Sequence, residues 1–230
     1  MKFLMLLRKE LRESLPLILL AVIALVVIGG LALRLEMRSG RSAWHYSNLS
    51  PGVTANTYWF LQWSPLRISG SWLFVISIAL GLALGVLHFW IPHFTRTWPF
   101  LLHRSVGKMT ILAAKLTAAA IGCILPLGVV WLALYWYACR SNAFGIPVPV
   151  RVFIDGLILI ALGLVVYLGT ALAGLSRVRW YTTKIFGLAF AALVLFQTVQ
   201  CGLLWACVIM VVSIMILLSQ VVDTFLKREY

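Results

Sequence analysis

Acidic residues are scarce in this sequence: six Asp and Glu stand against 19 Lys and Arg in 230 residues, and charge of both signs makes up only 11%. A water-soluble domain of this size needs far more charged surface, so that class is excluded. No acidic residue falls near the middle of an apolar run. Asp155 and Asp223 lie close to run ends, where water or headgroups solvate them. This argues against ion-driven transporters and proton relays, which place such groups inside their spans. Cysteine is sparse as well. Cys123, Cys139, Cys201 and Cys207 make no CxxC pair, so their spacing offers no metal site. Cys139 and Cys201 fall on the same expected face, but nothing in the sequence brings them within disulfide reach, and the expectation is four thiols.

The motifs of hydrolysis and nucleotide binding are missing too. There is no HExxH, no GxSxG and no pair of intramembrane aspartates. The single Gly-Lys pair, Gly107-Lys108, is followed by Met109, and Leu102 stands where a phosphate-binding loop needs its first glycine. The chain is therefore read as no enzyme and as carrying no cofactor or metal of its own. Its basic residues sit between apolar runs and form no stripe interleaved with aromatics, which points to membrane lipids and not to nucleic acid.

What is present is hydrophobic sequence: 63% of the residues, with a mean hydropathy of +1.02. Runs near the ~20 residues that cross a ~30 Å hydrocarbon core account for most of the length. They predict an all-α integral membrane protein, a single multi-pass domain over 1–230. Its six transmembrane helices are expected near 15–33, 71–91, 110–138, 152–175, 185–199 and 203–222. The first run is too long for a signal peptide and is followed by Arg34, Glu36 and Arg38, so it is read as a retained span. The last two runs are parted only by Gln200, Cys201 and Gly202, which fits a tight helical hairpin or one bent, half-inserted pair. His88 is the one titratable group well inside a run, and its expected role is helix packing or an interfacial position, with a relay as the rival. Gly81 and Gly85 form a GxxxG, either a close-approach site or a chance match.

With a cytoplasmic N-terminus, the inner segments hold Lys2, Arg8, Lys9, Arg12, Arg96, Arg104, Lys108, Lys115, Arg177, Arg179, Lys184, Lys227 and Arg228. The outer ones hold Arg34, Arg38, Arg41, Arg67, Arg140 and Arg151. The positive-inside rule thus places both termini in the cytoplasm of a cell membrane. The long external segment 34–70 carries Trp44, Tyr46, Tyr58, Trp59, Phe60 and Trp63 and is expected to lie along the outer surface. The sequon Asn48-Leu49-Ser50 is assigned no role.

Two cytoplasmic segments carry the functional reading. In 1–14, Phe3, Leu4, Leu7 and Leu11 recur at helical spacing opposite Lys2, Lys9, Arg12 and Glu13. This predicts an amphipathic interfacial helix, equally a positively charged flank, before the chain turns at Ser14 and Pro16 into the first span. In the loop 93–109, Thr97 can cap a short helix with Pro99 in its first turn, and Ser105 offers a second cap before the third span. Phe100, Leu101 and Leu102 are too apolar for a loop facing only water. Either a partner covers them or they dip into the bilayer.

The stretch Thr97-Trp98-Pro99-Phe100-Leu101-Leu102-His103-Arg104-Ser105-Val106-Gly107-Lys108, followed by Ile111-Leu112-Ala113-Ala114-Lys115-Leu116, resembles the cytoplasmic loop of ABC-2 type transporter permeases. That family shows T-x-x-x-L-L-x-x-P-V-S-R before an I-L-x-x-K helix start. The opening Arg8-Lys9-Glu10-Leu11-Arg12-Glu13 is similar to the family's N-terminal connecting helix, and Phe225 to Tyr230 to its basic ending. The sequence departs from the pattern at Thr95-Arg96, where an acidic residue often stands, and at Ser105 to Lys108. The resemblance implies that 97–104 is a coupling helix docking on a separate ATP-binding cassette subunit, which would hold the ATP and Mg. It also implies a second permease subunit, identical or not, and leans towards export. The rival readings are a membrane anchor or assembly factor that recruits a soluble partner through the same loop, and an intramembrane enzyme.

Overall fold

A backbone in hydrocarbon has no water to bond, so it must satisfy its own polar groups within each segment. The computed structural model describes residues 2–47, 66–95, 107–140, 148–175 and 184–227, and every regular element among them is helical. In chain order these are α1 (Lys2–Ala24), a π-helical turn π1 (Leu25–Gly29), α2 (Gly30–Ser47), α3 (Arg67–Gly85), a second π-helical turn π2 (Val86–Trp90), α4 (Ile91–Phe94), α5 (Lys108–Arg140), α6 (Val150–Leu175), α7 (Lys184–Gln200) and α8 (Leu203–Leu226). Five stretches are long and apolar enough to cross a membrane: Phe3–Arg38, Arg67–Trp90, Lys108–Arg140, Val150–Leu175 and Leu203–Leu226. The chain is thus an all-helical membrane protein. Ile185–Gln200 is apolar but shorter, about 24 Å at 1.5 Å per residue.

The expected break between an interfacial helix and the first span is absent. Helix α1 runs unbroken through Ser14 and Pro16 and continues by way of π1 into α2. Ser14 stays helical because its Oγ donates back to the carbonyls of Glu10 (2.9 Å) and Leu11 (3.1 Å). Pro16 removes one backbone donor, at a cost of about 3 kcal/mol in an isolated helix, which packing of α1 against α5 offsets. On this first stretch Phe3, Leu7 and Leu11 are half-buried, whereas Leu4 is 66% exposed. The predicted apolar face is therefore divided between protein and surroundings. The second run also starts earlier than expected, at Arg67, and the last extends to Leu226.

Helix α6 is the centre of the packing, contacting α3, α5, α7 and α8. From Leu162 to Leu175 only Leu164 is not fully buried. The close fit to α3 requires glycine: a Cβ on Gly81 would overlap the carbonyl oxygen of Gly163, and one on Gly85 would press on the Thr170 side chain. The GxxxG pair is thus a close-approach site. Ser77 Oγ adds a hydrogen bond to the Ile160 carbonyl across the same contact (3.1 Å). Trp131 and Trp90 each direct their indole N–H to a carbonyl of α6, Phe153 at 3.2 Å and Thr170 at 3.1 Å. The chain breaks at Cys201 and Gly202 into two helices that pack on each other and on α6. No disulfide joins the four cysteines.

Candidate functional site

Three of the chain's few titratable side chains converge at one buried point. Glu10 comes from α1, His88 from the middle of π2 and Lys115 from the second turn of α5; Tyr167 of α6 closes the group. Their exposures are 4%, 1%, 3% and 1%. Lys115 Nζ donates to Glu10 Oε2 at 2.9 Å. His88 Nε2 lies 3.8 Å from the same carboxylate oxygen, and its Nδ1 is 3.1 Å from the Tyr167 hydroxyl. That hydroxyl donates to the backbone carbonyl of Lys115 at 3.2 Å. His88 and Tyr167 also meet edge to face, their ring centroids 5.8 Å apart.

The local sequence explains how each group arrives. Glu10 falls on the same helical face as Phe3, Leu7 and Ser14, so the side of α1 that turns inward carries a carboxylate among apolar and small residues. Helix α5 starts at Lys108, with the Gly107 carbonyl accepting from the amides of Thr110 (3.0 Å) and Ile111 (3.3 Å). Two turns on, Lys115 lies inward beside Leu112 and Ala119. A π-helical turn inserts one extra residue into a helix and re-aims the side chains around it, and such turns recur at functional sites. Here the turn carries His88.

No family model, curated protein or solved structure matches this chain.

The arrangement is a four-helix staple. A buried ion pair is costly to desolvate and gains little net stability, but breaking it by removing one partner costs about 3–5 kcal/mol. The candidate coupling residues Thr97, Trp98, Pro99, Phe100, Leu101, Leu102, His103 and Arg104 lie outside the described residues, as does Ser105. Their flanks do not: His88 and Lys115 stand on either side of 97–104 in sequence, and both reach Glu10.

Sequence reasoning missed this junction. The sequence places Lys115 only among the basic residues of the inner segments and gives Glu10 no role of its own. The available signal was a single acidic residue on the apolar face of a basic helix. His88 packs between helices, the first of the positions expected for it. A second buried carboxylate, Glu36 of α2, accepts from the backbone N–H of Ile68 and from Ser69 Oγ (3.0 Å). It thereby caps the start of α3 in place of a local capping side chain, just after Leu66 in left-handed conformation (φ 69°).

Proposed function

We propose that the chain is the membrane-spanning permease subunit of an ATP-driven ABC transporter, working in export. In this reading, residues 97–104 form the coupling helix for a separate ATP-binding cassette subunit, and a second permease subunit completes the translocation path. Six crossings with both termini in the cytoplasm of a cell membrane follow from the basic residues on one set of connections, with α7 as the shortest crossing. ATP and Mg belong to the partner subunit.

The observation that carries the reading is the convergence on Glu10. A coupling loop works only if motion imposed on it is passed to the spans, and a loose loop would absorb that motion. Here the helix that follows 96–106 is tied to a carboxylate of the N-terminal helix by Lys115, and the turn that precedes it packs beside that pair through His88, whose Nδ1 meets Tyr167 of α6, itself bonded to the Lys115 carbonyl. Displacement of the loop is then shared by four helices at once. The overlap of the loop sequence with the ABC-2 pattern supplies the identity of the partner.

The test is substitution of Phe100 or Leu101 by Asp. An unpaired carboxylate buried in a protein contact costs several kcal/mol, on the order of what a contact of this size provides. Co-purification of the ATP-binding subunit and its ATPase activity in membranes should fall at least tenfold, while insertion and expression persist. Normal partner binding and activity in both variants would contradict the proposal.

A further inference from the structure

His88 is the one member of the buried junction with an unused position. Among the described residues its Nε2 has no hydrogen-bond partner. The nearest facing acceptor, Glu10 Oε2, is 3.8 Å away and already held by Lys115 at 2.9 Å. The opposite nitrogen fixes the tautomer. A phenol has one hydrogen, and that of Tyr167 is directed to the Lys115 carbonyl (3.2 Å). The 3.1 Å contact between His88 Nδ1 and the phenolic oxygen is therefore donated by Nδ1–H. Nε2 is left as the lone-pair nitrogen, turned towards a carboxylate.

We propose that His88 Nε2 is a proton-binding site, and that proton uptake there opens the junction between α1, π2 and α5. Among the described residues, the groups facing His88 are Glu10 from α1, Lys115 from α5 and Tyr167 from α6, with the Cys123 thiol of α5 beside Tyr167. Of these, Glu10 and Lys115 balance each other. A proton on Nε2 makes a second cation before one carboxylate, and a net charge is unfavourable in a buried site. It is relieved when the helices part and water enters, which separates α1 from α5. A hydrated imidazole takes up its proton below about pH 6.5, whereas the closed junction balances its charges with a neutral ring. The closed form is thus favoured above that pH and loses ground below it, the ratio of open to closed rising by up to about tenfold per pH unit.

This inference rests on the packing of four helices and stands apart from the transport reading. It is tested on the full chain in lipid nanodiscs, with the native cysteines replaced and spin labels at Met5 of α1 and Met109 of α5, both exposed. Between pH 8 and pH 5 the interlabel distance distribution should gain a longer component, growing at least tenfold, and His88→Gln should abolish the change. An unaltered wild-type distribution, or a response that His88→Gln leaves intact, would overturn the proposal. Should His88→Gln fail to assemble, the wild-type titration still decides, together with the ¹⁵N resonances of His88 in a chain whose other three histidines are replaced. A neutral Nδ1–H ring at pH 8 is expected, and an Nε2–H ring would overturn the assignment.

Discussion

The ammonium of Lys115 and the carboxylate of Glu10 are 105 residues apart in the chain and 2.9 Å apart in space. Removing one charge leaves the other buried without this counter-charge, so Lys115→Met or Glu10→Leu should each lower stability by about 3–5 kcal/mol. Replacing both by Leu should cost less than either single change. Thermal unfolding in detergent, read by size-exclusion chromatography after heating, checks the order of the three variants.

The fit of α3 on α6 leaves no room at Gly81. Gly81→Val drives methyl groups into the backbone at Gly163 and should cost about 3 kcal/mol or prevent assembly. Gly30→Ala, where a Cβ meets nothing within 4 Å, should be neutral or slightly stabilising. The same thermal assay separates the two.

Much of this architecture is legible in the sequence, and the misreadings share one cause. Apolar runs fix where the helices lie, since hydrocarbon length and backbone satisfaction leave few choices, and Val150–Leu175 falls within two residues of its expectation. Local signals are weaker. Ser14 and Pro16 look like a turn in isolation, but a proline is held in a helix when neighbouring helices pack around it. Glu10 and Lys115 look like interfacial charges for the same reason: each is ordinary alone, and only their meeting makes them unusual. No periodicity encodes a contact between helices so distant in sequence. The role proposed for 97–104 rests on the resemblance and on its flanks.

Glu36 holds the start of α3 through Ile68 N–H and Ser69. Glu36→Ala should weaken that cap by about 1–2 kcal/mol. Amide hydrogen exchange at residues 67–70 should quicken, with exchange in the middle of α6 unchanged.

The distribution of basic residues predicts that the ends of α2 and of the loop before α5 face opposite sides. In a chain without native cysteines, which should insert normally since no disulfide is lost, single cysteines at Ser47 and Ser105 should label from opposite sides of intact cells. Labelling of both from one side would reject the six-span topology.

The most direct measurement is photocrosslinking in intact membranes with a photoreactive amino acid at Leu101, followed by identification of the adduct. If residues 97–104 couple the spans to an ATP-driven partner, the adduct contains an ATP-binding cassette subunit, and its yield falls when Phe100→Asp is introduced. An adduct with lipid alone, or only with the chain itself, would show that this apolar loop enters the bilayer and would contradict the account.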